Sequence, residues 1–276
     1  MATRAIEIRT QSAAVSTNRP TVTWPNLIRS EWTKFWSLRS TYWTLIALVV
    51  LTVGLSAGMS RATVTSDGTD MMGMRNDPVG TSLSGLDTGQ LVIVVLGVMM
   101  ISTEYATRNI RSALIAAPRR LTFLGAKALV LAVVATVAGI VTSFASFFAG
   151  QAILQTGGLN VSLSEPGVFR AVVGGGLYLA GSAMVGFALG ALLRSLVGGI
   201  AVAVAGLIVL PQLARMLPGN WGEWIEKVFT SNAGMQIARV VHDSSQLGPW
   251  TGYLVFTLWW AVPLAIAAVL MLRRDV

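Results

Sequence analysis

The chain has few charged residues and no cysteine. Only 12% of its 276 residues are Asp, Glu, Lys or Arg, about half the share found in an average soluble domain. Hydrophobic residues make up 54% of the chain, in runs long enough to cross a bilayer, since about 20 apolar residues span its hydrocarbon core. The lack of cysteine excludes disulfides, thiolate metal sites and cysteine catalysis. This composition predicts a multi-span membrane protein without a sizeable soluble domain.

Motifs that would supply energy are missing as well. The sequence has no GxxxxGK[ST] phosphate loop, so it cannot hydrolyse ATP by itself. Five of the six predicted membrane spans have no ionisable residue in their core, although ion-coupled carriers usually place one there. His242 is the single histidine, and a solvated loop position is its simplest interpretation, because nothing near it completes a catalytic triad. We therefore expect a partner to power or gate this chain.

Six apolar stretches predict an all-α protein with six transmembrane helices. The polar residues 1–23 predict a disordered cytoplasmic tail rather than a signal peptide. The membrane domain is expected to occupy residues 41–276, and Pro211 is expected to interrupt its fifth span. The predicted spans cover about residues 42–60, 88–102, 128–154, 170–193, 197–213 and 250–272.

The basic residues are concentrated at one end of the predicted bundle. With a cytoplasmic N-terminus, the inner segments carry a net charge of +10 and the outer segments −2, which together give the +8 of the chain. This distribution follows the positive-inside rule and predicts that both termini are cytoplasmic. It also argues against nucleic-acid binding. The inner basic residues are Arg4, Arg9, Arg19, Arg29, Lys34, Arg39, Arg108, Arg111, Arg119, Arg120, Lys127, Arg194, Arg273 and Arg274.

Residues 24–40 predict an amphipathic helix ahead of the first span, called the interfacial helix below. Its aromatic and leucine side chains lie on one arc, with Arg29 and Lys34 among the polar residues opposite. Aromatic residues with basic neighbours suit a helix in the inner headgroup layer. Glu31 and Arg39 fall inside the apolar arc, where they could pair with a partner surface or with headgroups. The pattern leaves both alternatives open.

The polar segment between the second and third spans also predicts a short amphipathic helix. Glu104, Arg108 and Arg111 share one face of that helix, and Ile110 and Leu114 share the opposite face. Such a helix is either a surface contacted from the water side or a solvated connector that only fixes topology. Because the chain lacks an energy source of its own, the contact surface is the stronger interpretation.

The loop of residues 214–249 is predicted to be structured. Apolar residues recur there at positions i, i+3, i+4 and i+7, which predicts a short helix at the outer interface, where tryptophan is favoured. A second short helix is predicted over residues 233–242. The apolar stripe consists of Trp221, Trp224, Ile225 and Val228.

Two smaller features each have two interpretations. Gly186 and Gly190 form a GxxxG pair in the fourth span, which lets helices pack closely within one chain or, secondarily, between two chains. Met71, Met72 and Met74 lie in the loop after the first span and could form a soft metal site. A flexible loop is the simpler interpretation of these methionines.

Two motifs resemble the type-2 ABC exporter permeases of the actinobacterial kind. They are SEWTKFWSLRSTYW before the first span and STEYATRNIRSALIAAPRR after the second. The six spans and the structured loop extend the resemblance over nearly the whole chain. It implies the type-2 ABC exporter fold in a bacterial plasma membrane, with an N-terminal interfacial helix and six spans. It also implies a dimer with a second copy or a related permease, docked to two ATP-binding cassette subunits that hold ATP and Mg²⁺, with no cofactor on this chain.

The resemblance further implies roles for particular residues. In such proteins the segment after the second span, here residues 104–127, is a coupling helix that lies in a groove of the ATPase, and the interfacial helix braces it. A transport path runs along the dimer axis beside spans two and five, and its apolar residues suit a hydrophobic or amphipathic cargo. The implied residues are Glu104, Tyr105, Arg108, Ile110, Arg111 and Leu114 for coupling, Glu31, Trp32, Lys34 and Arg39 for bracing, and Val94, Gly97, Val98, Val204, Leu207 and Ile208 for the path.

Two other functions fit the same hydropathy. A membrane scaffold, sensor or self-immunity subunit would show no ATP-dependent flux, even with its partner present. An ion-driven carrier would show flux driven by an ion gradient alone. The exporter subunit is the first hypothesis, and it predicts a chain that is not an enzyme by itself.

Overall fold

Helix accounts for 88% of the described residues in the computed structural model of this chain, and these residues form no strand. The structure describes residues 23–66, 74–106, 120–216, 220–241 and 245–273. It confirms six helical stretches that are long and apolar enough to cross a membrane, called the first to sixth spans here. They are Arg39–Thr65, Pro78–Tyr105, Leu121–Gly157, Val168–Leu193, Leu196–Leu213 and Pro249–Arg273.

The interfacial helix covers Trp24–Ser37 and precedes the first span directly. It ends at Leu38, whose extended backbone (φ −88°, ψ 120°) separates it from the helix that begins at Arg39. The helix is therefore shorter than predicted, and the last residues assigned to it belong to the first span. Because a single residue joins the two helices, their relative orientation depends on side-chain contacts made elsewhere.

The fourth span lies at the centre of the bundle. Of its most apolar stretch, 78% is buried, against 17% for the fifth and sixth spans. A Cβ added to Gly186 would lie 2.1 Å from the carbonyl oxygen of Val94, and one added to Gly97 would lie 2.0 Å from that of Ala183. Only glycine permits such an approach of two backbones. The close packing predicted for the fourth span thus occurs within one chain, against the second span.

The second span begins about ten residues earlier than its hydropathy predicts, at a short helix over Pro78–Leu83. Thr81 and Ser82 lower the hydropathy of this helix, which is why the apolar pattern does not include it. Both side chains are buried and hydrogen-bonded. Ser82 Oγ, for example, donates to the Val79 carbonyl (3.0 Å) and accepts from Gln151 Nε2 (3.2 Å). A turn then leads into the main helix, Leu86–Ala106. Buried hydroxyls with partners therefore let a polar stretch join a membrane helix.

The fifth span contains Pro211 and remains helical on both sides of it. An α-helix runs over Leu196–Val204, a π turn over Ala205–Val209, and a second α-helix over Leu210–Arg215. Proline lacks an N–H group, and its ring clashes with the carbonyl four residues earlier, so a regular α-helix cannot continue unchanged. The wider π turn immediately before Pro211 relieves this conflict. The predicted interruption is therefore a change of helix type.

The loop after the fifth span is helical, as predicted, but its second helix differs from the prediction over residues 233–242. That helix starts earlier, and helical structure ends before residue 239. The Arg170 guanidinium, from the fourth span, donates to the carbonyls of Ile237 (3.1 Å) and Arg239 (2.9 Å) at the end of this helical segment. The observed elements are Asn220–Val228, Thr230–Met235 and the 3₁₀ turn Gln236–Ala238.

Some predictions fall on residues that the structure does not describe. These are the polar tail up to residue 22, the methionines Met71 and Met72, and His242. Met74 is described, and its sulfur accepts a weak hydrogen bond from Thr63 Oγ1 at 3.7 Å. The flexible loop stays the prediction for these methionines, with the soft metal site as its alternative.

Candidate functional site

Four charged side chains meet where the interfacial helix contacts the second and third spans. This charge cluster consists of Glu31 and Lys34 from the interfacial helix, Glu104 from the last turn of the second span, and Lys127 from the third span. Lys127 Nζ lies 2.6 Å from Glu31 Oε2 and 3.0 Å from Glu104 Oε1. Lys34 Nζ lies 3.0 Å from Glu31 Oε1 and 3.6 Å from Glu104 Oε1. Each acid therefore contacts both lysines, so the charges alternate around a ring.

Most of the charge cluster is buried. The side chains of Glu31 and Lys127 are 1% and 4% exposed, and that of Glu104 is 11% exposed. Removing an ion from water costs several kcal/mol, so a buried charge persists only with opposite charges and hydrogen bonds around it. The ring supplies both, and two acids with two bases leave no net charge. Lys34 differs from the others, because half of its side chain (51%) is exposed.

The interfacial helix positions Glu31 because this residue and Phe35 are one helical turn apart and both face the protein. Glu31 interrupts the apolar arc, and the structure shows that it does so to pair with lysines of the same chain. That outcome is neither of the two alternatives left open by the sequence, a partner surface or headgroups. Trp32 and Arg39, the other two residues expected to brace the coupling segment, are exposed and lie outside the charge cluster.

The charge cluster holds the two ends of the predicted coupling segment together. Glu104 and Lys127 are the first and last residues of that segment, and an ion pair of 3.0 Å joins them. Both also pair with the interfacial helix. The four remaining coupling residues lie outside the part of the chain that the structure describes: Arg108, Ile110, Arg111 and Leu114.

Tyr105 connects the same segment to the other side of the bundle. The guanidinium carbon of Arg194 lies 5.5 Å from the centroid of the Tyr105 ring, in a cation–π contact. Arg194 forms the tight turn between the fourth and fifth spans and has a positive φ of 53°, which a side chain other than glycine rarely adopts. Two adjacent residues, Glu104 and Tyr105, therefore tie the coupling segment to two different parts of the protein.

The residues expected to line a transport path form contacts within the single chain. Val94 and Val98 of the second span pack with Leu207 of the fifth in one apolar cluster. These contacts lie within one chain, and the lining role stays a prediction. Val94, Gly97, Val98 and Leu207 are buried, Val204 is half-buried, and Ile208 is exposed.

The role of Lys127 in the charge cluster is not predicted by the sequence, where this residue is one of fourteen basic residues on the inner side. A signal was present, because Lys127 lies in the second turn of a long apolar helix beside Phe123, Leu124 and Leu131, all buried. A lysine in such surroundings needs a buried anion. No local pattern indicates that this anion is Glu31, which lies 96 positions away in the sequence.

A comparison with known protein families finds a match that covers the charge cluster. A family model described as ABC-2 family transporter protein matches residues 27–210, which is well over half of the chain. The match begins in the interfacial helix, includes all four members of the charge cluster and ends within the fifth span. No curated protein matches the chain.

Proposed function

The chain belongs to the ABC-2 transporter family, and we propose that it is the membrane subunit of an ATP-driven exporter. Proteins of this family are the membrane components of transporters and are not themselves catalytic. In our proposal two copies, or this chain with a related permease, span a bacterial plasma membrane with both termini cytoplasmic. Two separate ATP-binding cassette subunits bind at the coupling segments and hold ATP and Mg²⁺.

The charge cluster is the observation that carries this proposal. It joins both ends of the coupling segment to the interfacial helix through ion pairs of 2.6–3.6 Å. A force applied to the segment therefore acts on the second span, the third span and the interfacial helix together. The ionic contacts of the charge cluster can adjust during such a movement, whereas the closely packed spans are displaced as bodies. A solvated connector that only fixes topology does not require buried charges at its ends, and burying them is costly.

The proposed mechanism is a switch between two states. ATP binding draws the two ATPase subunits together and displaces the coupling segments, and the spans rock from an inward-facing to an outward-facing arrangement. The ATPase drives this change because it binds the two states with different affinity. Efflux of a hydrophobic or amphipathic cargo (a drug, lipid or peptide) is supported by the apolar side chains along the second and fifth spans.

The first test is a pull-down of the full chain from its native membrane in mild detergent, with partners identified by mass. We expect a stoichiometric ATP-binding cassette subunit. Absence of such a subunit, under conditions that preserve a known transporter complex, would contradict the proposal. That result would favour the scaffold or the ion-driven carrier instead.

The second test reverses one charge in the coupling segment. Arg111→Glu should uncouple ATP hydrolysis from export in the reconstituted complex while leaving membrane insertion intact. The matched control is Arg273→Glu, which makes the same charge change at the exposed end of the sixth span. Normal export by the Arg111→Glu variant would count against the assignment of residues 104–127 as the coupling element.

A further inference from the structure

A partly open cavity of about 370 Å³ lies beside the charge cluster. The interfacial helix, the start of the first span and the second span enclose it. Its volume falls within the range of small-molecule binding sites, which is about 300–1,000 Å³. A larger molecule would fit only if part of it extended out of the opening.

The walls of this cavity differ along its depth. The four charges of the cluster and the hydroxyl residues Ser40 and Thr41 line it at the level of the interfacial helix. Leu96, Met99 and Met100 line it further along the second span. Leu96 precedes Glu104 by eight residues, which corresponds to about 12 Å along a helix. The cavity therefore runs from a charged rim at the headgroup level to an apolar interior.

The rim favours an anion, although the charge cluster as a whole is neutral. Its acids are recessed, with Glu31 1% and Glu104 11% exposed, whereas Lys34 is 51% exposed. A ligand that approaches from the open side therefore meets an ammonium first. An ammonium group has three N–H donors; Glu31 accepts one of those of Lys34 at 3.0 Å, and Glu104 Oε1 lies 3.6 Å from the same nitrogen, which leaves one donor for a ligand. Ser40 and Thr41 add neutral hydroxyl groups to the lining of the same cavity.

We propose that this cavity binds an acidic amphiphile, with a phosphate or carboxylate head at Lys34 and an apolar chain along Met99 and Met100. Methionine side chains are flexible and polarizable, so they adapt to chains of different shape. A phospholipid of the inner leaflet and a diffusible single-chain amphiphile share this chemistry. The inference does not require the export function, because binding is a property of this chain alone.

The test measures binding to the purified full chain in neutral detergent by native mass spectrometry, which counts bound ligands. The probes are a monoacylglycerol phosphate, a diacyl phosphatidylglycerol, and an alkyltrimethylammonium of the same chain length. We expect the two anionic probes to bind at least tenfold more tightly than the cationic probe. Preference for the diacyl probe assigns the site to a membrane lipid, and preference for the monoacyl probe assigns it to a diffusible amphiphile.

Two variants locate the binding at the cavity. Lys34→Gln removes the exposed cation and Met100→Trp fills the apolar part, and each should weaken binding of the anionic probe about tenfold. Lys34→Arg should retain binding because it keeps the charge. The matched controls are Lys227→Gln, at the opposite end of the bundle, and Val137→Trp, on an exposed face of the third span. Both controls should bind like the parent.

Several outcomes would overturn the inference. Equal binding of the anionic and cationic probes would contradict recognition of charge. Parent-like binding by Met100→Trp would place the ligand elsewhere, and this variant leaves every charged residue intact, so the test does not depend on the stability of Lys34→Gln. Displacement of the amphiphile by inorganic phosphate at equal concentration would show a phosphate site with no role for the apolar wall.

Discussion

The charge cluster and the contact between the second and fourth spans hold helices together by different physics. In the charge cluster, long side chains cross the gap, and their attraction falls off gradually with distance. At the contact between the spans, Gly97 and Gly186 bring two backbones together, and the fit is lost over a few tenths of an ångström. An ionic contact can yield and re-form during a movement, whereas a backbone contact requires that both helices move as one body.

This difference divides the molecule into a firm part and an adjustable part. The fourth span, buried on most sides, and the second span form the firm part. The interfacial helix forms the adjustable part, because one extended residue, Leu38, joins it to the first span and its polar contacts are ionic, beside the core packing of Phe35. Under our proposal, a coupling movement would change the ionic contacts at this end and leave the glycine contact intact.

The largest expected effect comes from removing the buried cation. Lys127→Met leaves Glu31 and Glu104 buried beside a single lysine that is half exposed. Breaking a buried ion pair in this way costs about 3–5 kcal/mol of the free energy of unfolding. Denaturant unfolding of the detergent-solubilised chain would measure the loss. Lys227→Met, at the opposite end of the bundle, serves as the control, and equal stability of the two variants would contradict the structural role of the charge cluster.

A triple variant tests whether unpaired charge causes the loss of stability in Lys127→Met. Adding Glu31→Gln and Glu104→Gln to Lys127→Met should restore most of the lost stability, because uncharged groups of similar shape tolerate burial better than unpaired ions. Neutralising these charges should not restore stability to a variant of the glycine contact between the second and fourth spans. If the triple variant is as unstable as Lys127→Met alone, unpaired charge is not the cause of the loss.

A methyl group at the glycine contact should have the next largest effect. In Gly97→Ala the new Cβ would lie 2.0 Å from the Ala183 carbonyl oxygen, so one of the two backbones must shift. Overpacking of this kind costs about 1–3 kcal/mol. Gly54→Ala is the matched control, because a Cβ there meets nothing within 4 Å and alanine favours helix. A thermal unfolding curve for each variant makes the comparison, and equal curves would refute the backbone contact.

Loss of the exposed lysine should matter much less for stability. Lys34→Gln removes an ion pair that is half exposed to solvent, and such pairs contribute about 1 kcal/mol or less. The same unfolding assay should therefore separate Lys34→Gln from Lys127→Met clearly. A loss as large as that of Lys127→Met would show that all four charges act as one unit.

The smallest expected effect is a dependence on alkaline pH. Partial burial acts to lower the pKa of Lys34, but its hydrogen bond to Glu31 and the charges of Glu31 and Glu104 outweigh this and raise the pKa above 10.5. A raised pKa in the folded state stabilises the fold below pH 10.5, and this stability is lost as the pH rises through the folded value. We expect a decline of a few tenths of a kcal/mol in that range. Lys34→Gln should lack this decline, and an equal decline in both proteins would assign it to other groups.

Parts of the fold could be predicted because they depend on local patterns. Six apolar runs predict six spans, and the aromatic arc after Trp24 predicts the interfacial helix. The errors occur where the local pattern is ambiguous. The start of the second span contains hydroxyl residues that lower its hydropathy, and one of them, Ser82, accepts a hydrogen bond from Gln151 of the third span. At the end of the second loop helix, the Ile237 carbonyl accepts a hydrogen bond from Arg170, which lies 67 positions away in the sequence.

The sequence by itself determined that this chain has six stretches long and apolar enough to cross a membrane, lacks an ATPase motif and carries most of its basic residues at one end of the predicted bundle. Only the tertiary structure decided that Glu104 and Lys127 bind each other, that Glu31 joins them, and that a cavity opens beside them. Apolar length and helical period are properties of neighbouring residues, so a sequence displays them directly. The partner of a buried charge is chosen by the packing of distant helices, and the sequence shows only that a partner is needed.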